Sequence, residues 1–178
     1  VSYYREICLS GSGGQGIILA GILLAEAAIL EGRYALQTQS YGPEARGGAS
    51  RAEVIISEEF VDYPHVQQPD VLLAMSQEAY DKYAPAVKPG GLVLVDATFV
   101  RPSGAAGFRQ VSLPLTDTAR SKLGKEISAN LVALGALVRL TGLVQPESLQ
   151  QAVAGRLGTT PANLAALEAG RELAESVG

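Results

Sequence analysis

The residues with the most chemical content form a glycine loop near the start of the chain. Ser10-Gly11-Ser12-Gly13-Gly14-Gln15-Gly16 sets Gly11, Gly13 and Gly16 at the G-x-G-x-x-G spacing. Glycine permits a tight turn and lets backbone N–H groups approach an anion, while a following helix turns its positive end to the same place. A pyrophosphate fits such a site. Gly14 exposes further backbone and Gln15 brings an amide that both donates and accepts, so Gly11, Ser12, Gly13, Gly14, Gln15 and Gly16 are the candidate contacts. The alternative is a strand-to-helix turn that packs closely and binds nothing.

A dinucleotide site of the usual kind places an acidic residue after the second strand, about 20 residues beyond the loop, to accept from a ribose hydroxyl. Here that stretch reads Leu36-Gln37-Thr38-Gln39-Ser40. Either glutamine can bond a hydroxyl, but no carboxylate stands there, which disfavours NAD and favours another phosphate-bearing ligand.

A second dense segment follows: Ser40-Tyr41-Gly42-Pro43-Glu44-Ala45-Arg46-Gly47-Gly48-Ala49-Ser50-Arg51. Arg46 and Arg51 are of the type that grips phosphate with two parallel N–H bonds, and Glu44 could hold one of them or meet a partner. A solvated Glu–Arg pair on a hairpin is the plainer reading. Asn130, at the front of an apolar helix, is a further polar candidate, with helix capping or burial as its alternative. His65 has no Ser, Cys or ligand partner at a telling spacing. Asp96 ends a strand, where ligands lie in open α/β sheets, although such carboxylates also cap turns. Cys8, inside an apolar run, reads as a small buried residue.

The elements that must position these groups follow from periodicity. Ile7-Cys8-Leu9 is a strand entering the loop, and Ile17 to Leu30 is a helix apolar nearly all round, as befits packing between a sheet and another surface. Tyr34 to Tyr41 and Arg51 to Ser57 read as strands whose connector is too short for a helical crossover, so they run antiparallel. Asp70 to Met75 and Leu92 to Asp96 are strands flanking a helix over Gln77 to Val87. A short strand around Val111 to Leu113 precedes helices over Glu126 to Thr141, Pro146 to Arg156 and Pro161 to Ser176. This alternation predicts an α/β fold: a three-layer, Rossmann-like, mixed but mainly parallel sheet with helices on both faces, spanning residues 1–178 as a single domain.

Composition narrows the function classes. With 178 residues, 47% of them hydrophobic and 18% charged, the chain can bury a core without staples. A net charge of -4 and no basic cluster leave no footprint for nucleic acid. One cysteine cannot build a thiolate-ligated zinc site or an iron–sulfur cluster alone. The longest apolar stretch, Ile17 to Leu30, contains Glu26 and falls short of the roughly 20 residues that span a bilayer; with no leader in front of it, a cytoplasmic, membrane-free protein is expected.

Taken in order, Gly11-Ser12-Gly13-Gly14-Gln15-Gly16, Ser40-Tyr41-Gly42-Pro43-Glu44-Ala45-Arg46-Gly47-Gly48, Gln68-Pro69-Asp70-Val71-Leu72-Leu73-Ala74, Gly90-Gly91-Leu92-Val93-Leu94-Val95-Asp96 and Asn130-Leu131-Val132-Ala133-Leu134-Gly135-Ala136-Leu137 resemble the gamma subunit of 2-oxoacid:ferredoxin oxidoreductases. Among its branches the 2-oxoglutarate enzymes look most similar, ahead of the pyruvate and branched-chain enzymes; the beta chain of indolepyruvate oxidoreductase carries a similar glycine loop. The resemblance implies a subunit, inactive alone, of a complex that converts a 2-oxoacid to acyl-CoA and CO2 while reducing ferredoxin. It implies thiamine diphosphate, magnesium and iron–sulfur clusters in partner alpha and beta subunits, with or without a delta subunit, and coenzyme A at this chain. It points to Gly13, Gly14, Gln15 and Gly16 for the pyrophosphate, then Ser40, Tyr41 and Arg46, then Asn130. A stand-alone nucleotide-binding protein and a purely structural subunit are the competing readings.

Overall fold

The computed structural model describes residues 2–40, 49–62, 66–104 and 107–177. Its centre is a six-stranded sheet in the order β2-β3-β1-β4-β5-β6, with β1 Tyr4–Gly11, β2 Tyr34–Ser40, β3 Ser50–Ser57, β4 Val71–Ala74, β5 Leu92–Asp96 and β6 Arg109–Leu113. β1, β4, β5 and β6 pair in parallel, while β3 pairs antiparallel with both β1 and β2. The expected mixed, mainly parallel α/β sheet is thus present, and the strands over residues 34–40 and 50–57 are antiparallel as expected.

Helices cover the two faces unequally. Alternation along each strand sends Ile7, Leu9, Val54, Ile56, Leu73 and Leu94 to one face, where they meet α1 (Ile17–Leu30), α4 (Ala129–Thr141) and α5 (Pro146–Leu157) in one core cluster. α6 (Pro161–Glu175) packs behind α4. That contact depends on two glycines: a methyl on Gly135 would strike Leu167 O, and one on Gly170 would strike Val132 O. The other face sends Cys8, Leu72, Ala74, Val93 and Val95 against α2 (Gln77–Tyr83), the turn after it at Ala84 and Val87, and Val100.

Three stretches differ from expectation. The predicted helix over Gln77 to Val87 stops being α-helical after Tyr83 and finishes as a 3-10 turn, Ala84–Ala86, because Pro85 has no N–H for the ladder. Between β6 and α4 lies a short helix, α3 (Leu115–Thr118), running into a single π-turn, Ala119–Leu123. A 3-10 turn, Glu126–Ser128, replaces the first turn predicted for α4. No helix among the described residues is long and apolar enough to cross a membrane.

Candidate functional site

After β1 the chain leaves through α1 toward β2 on one flank, while β4 lies on the other. The carboxyl end of β1 is therefore a point where strand order reverses, the place where open α/β sheets hold ligands. Ser12 to Gln15 form a tight turn there, closed by Gln15 N–H donating to Ser12 O at 3.3 Å. Gly14 takes φ 85° at its third position, as a type II turn demands. Gly16, at φ 75°, is the N-cap of α1 and offers no side chain to the helix.

The consequence is an open positive helix end. α1 has no side-chain cap and no acidic residue in its first turn, so the N–H groups of Ile17, Ile18 and Leu19 lack intrahelical partners. Among the described residues the N–H groups of Gly13, Gly14 and Gly16 also find no acceptor. Gly13 and Gly14 have open space within 4 Å where a Cβ would sit. Beside them lies a cleft of about 150 Å³, lined by Gly14, Gln15, Thr116, Glu126, Ile127 and Ala129. Donors, dipole and free volume coincide.

Other candidate residues hold this turn in place, Gln15 from the cleft wall itself. Gln15 Oε1 accepts from Ser12 N–H at 2.7 Å, and its Nε2 donates to Met75 O at 3.0 Å, fastening the turn to the end of β4. Its amide, expected to serve a ligand, is turned to the chain itself. Gly11 is buried, and a methyl on it would meet Gln15 Oε1, so this glycine makes room for the fastening side chain. Asn130, 5% exposed, donates from Nδ2 to Gly16 O at 3.3 Å and accepts Leu131 N–H at 2.9 Å. It joins the starts of α1 and α4.

Ser40 ends β2 opposite Arg51 of β3, and Ser50 pairs with Gly11, so residues flanking the second dense loop share an edge with the glycine loop. Tyr41, Glu44 and Arg46 lie outside the described residues. Arg51, expected as a phosphate clamp, is engaged elsewhere. It pairs with Glu53 at 2.5 Å, donates to Val66 O at 3.2 Å and lies 5.0 Å from the centre of the Tyr83 ring. Cys8 is 2% exposed, and burial pushes its thiol up to about 12, so it stays protonated and inert near neutrality.

Asp96 is fully buried and caps rather than binds: Oδ1 accepts Thr98 N–H at 3.1 Å and Thr116 N–H at 3.3 Å, and Oδ2 accepts the Thr116 hydroxyl at 2.5 Å. It thereby places Thr116 in the cleft wall. Thr116, Glu126, Ile127 and Ala129 carried no signal in the sequence, because they reach the glycine loop only through the fold. His65 lies outside the described residues.

Residues 6–173 match the pyruvate ferredoxin/flavodoxin oxidoreductase family. The chain belongs to that family. It is 49% identical over 178 residues to 2-oxoglutarate synthase subunit KorC of Methanothermobacter marburgensis, covering 95% of this chain and 96% of that one. It is 42% identical over 175 residues to ketoisovalerate oxidoreductase subunit VorA of Methanothermobacter thermautotrophicus, where the match covers 95% of this chain and 36% of the relative. Among solved structures, the keto/oxoacid ferredoxin oxidoreductase gamma subunit of Geobacter sulfurreducens is 46% identical with a TM-score of 0.87, covering 97% of this chain and 99% of that one. The 2-oxoglutarate:ferredoxin oxidoreductase of Magnetococcus marinus, with 2-oxoglutarate, coenzyme A and succinyl-CoA bound, is 27% identical with a TM-score of 0.87; the match covers 97% of this chain and 31% of that one. The expected kinship with gamma subunits of 2-oxoacid:ferredoxin oxidoreductases is borne out, and this chain is a subunit of such an oxidoreductase.

Proposed function

We propose that this chain holds coenzyme A for a 2-oxoglutarate:ferredoxin oxidoreductase, with the pyrophosphate on the Gly13–Gly16 backbone at the start of α1. The observation that carries this reading is the coincidence of free N–H groups, an uncapped helix end and open volume at one strand terminus. The Magnetococcus marinus relative, with coenzyme A in its structure, supports the choice of ligand. The oxoacid follows the KorC relatives.

In this reading Gly13, Gly14 and Gly16 donate to phosphate oxygens, while Gly11, Ser12, Gln15 and Asn130 keep the donors aimed. Ser40, at the end of β2, Tyr41 and Arg46 are the further contacts assigned to the rest of the ligand. The chain is one gamma-type domain of a cytoplasmic complex and is inactive alone. Its task is to position the coenzyme A thiol, while partner alpha and beta subunits, with or without a delta subunit, carry thiamine diphosphate, magnesium and the iron–sulfur clusters that reduce ferredoxin. Thiamine diphosphate, bound by those partner subunits, would supply the decarboxylation chemistry, and this chain's part is to hold coenzyme A for the acyl transfer. One buried, protonated cysteine agrees with cluster ligation elsewhere.

Gly13→Asp tests the reading with little cost to the fold, since Gly13 has a negative φ and nothing within 4 Å of its Cβ position. The assembled complex should lose coenzyme A affinity about tenfold to a hundredfold, as charge-assisted hydrogen bonds are replaced by like-charge repulsion. Decarboxylation of the 2-oxoacid without coenzyme A should persist. Unchanged affinity would overturn the assignment.

A further inference from the structure

The cleft beside the glycine loop contains a charge that works against its proposed occupant. Glu126 is the one carboxylate among the described lining residues, and it stands on the 3-10 turn directly before α4. A bare carboxylate there would repel any phosphate seated on the Gly13–Gly16 N–H groups. The chain places a guanidinium on it. Arg120 Nε donates to Glu126 Oε2 at 3.2 Å, and Nη2 lies 3.1 Å from Oε1, a two-pronged pairing. The same side chain reaches Asp117 Oδ1 at 3.4 Å and lies 5.5 Å from the centre of the Phe99 ring.

The backbone between them is shaped for this return. The π-turn Ala119–Leu123 ends at Gly124 with φ 68°, and Gly124 N–H and Lys125 N–H donate back to Arg120 O and Ala119 O. Arg120 and Glu126 are thereby brought together across a reversal of direction. Their side chains are 45% and 58% exposed, a setting in which an ion pair contributes little to stability.

We infer that Arg120 is a positioning residue for the anion site. It acts through Glu126, neutralising and orienting that carboxylate so that a phosphate-bearing ligand can enter beside it. The inference rests on the coenzyme A reading of the cleft.

The test is coenzyme A titration of the assembled complex carrying Arg120→Gln, Glu126→Gln or both, at low and high salt, with thermal melting of each. Arg120→Gln should weaken binding about three- to tenfold at low salt, the range for an unscreened charge near the surface, and less at 1 M salt, where the screening length is about 3 Å. Glu126→Gln alone should bind at least as tightly as the unaltered complex, and the double variant should return to within about twofold of it. Melting temperatures should stay together. A double variant as weak as Arg120→Gln would mean that Arg120 touches the ligand directly and would overturn the inference, as would an unchanged Arg120→Gln. An unaltered complex that does not bind coenzyme A defeats the underlying reading instead, and is recognised before any variant is compared.

Discussion

At the end of β4 the chain enters α2 through Ser76, whose hydroxyl accepts Ala79 N–H at 3.2 Å, with Glu78 in the first turn. At the end of β1, fastened to Met75 by the Gln15 side chain, the chain enters α1 through Gly16 with no cap and no acid. Both turns lie at the carboxyl edge of neighbouring parallel strands. One helix satisfies its own positive end with a hydroxyl and a carboxylate, and the other leaves that end to whatever comes from outside. A self-capped helix is a structural piece, whereas an uncapped one beside glycines and a cleft leaves its N–H donors open to an anion, the role proposed for α1.

The contrast can be broken in several places. The largest effect should come from Gly13→Asp, which gives α1 the internal carboxylate that α2 has, and which should cost the complex about tenfold to a hundredfold in coenzyme A affinity. Gly16→Ala should cost about 2 kcal/mol of stability by urea unfolding, since a left-handed non-glycine residue is disfavoured and its methyl would lie 2.5 Å from Asn130 Nδ2. Ser76→Ala should cost about 1 kcal/mol as a lost cap and leave coenzyme A affinity alone. If Ser76→Ala weakened coenzyme A binding as much as Gly13→Asp, the two turns would not be functionally different.

The smallest effect concerns the far end of α1, which is tied down as firmly as its start is open. Burial alone would raise the Glu31 carboxyl, but donation from Gln145 N–H at 2.6 Å, with Ser148 and Arg33, prevails and holds it below its ordinary value. A depressed carboxyl contributes stability that is complete above its unfolded value, near about 4.3, and is lost as pH falls through the lower folded value. Glu31→Gln should therefore flatten the acid side of the stability profile, as read from urea midpoints between about pH 3 and 5. An unaltered slope would show that Glu31 is not held by those donors.

Much of this was readable from the residues. The glycine spacing, the bounds of α1, the antiparallel pair over residues 34–57 and the helices over residues 146–175 all follow from local pattern and breakers. The insertion of β3 between β2 and β1 did not, because short strands announce their alternation but not their neighbours. α3 and the π-turn after it were missed because four helical residues are too few to show a period. Gln15 shows the limit for sites: its type says that it will donate and accept, but only the approach of Met75 decides that the chain itself takes both bonds. Thr116 and Glu126 are a hundred or more positions from the glycine loop and reach it through the return of α3 and α4. Their part in the cleft is a property of the fold.

The most direct measurement is amide hydrogen exchange of the assembled complex with and without saturating coenzyme A. The account predicts slowed exchange across Gly13–Leu19 and none across Gln77–Ala79, where Ser76 already holds the helix start. Unchanged exchange at Gly13–Leu19 under saturating coenzyme A would contradict it.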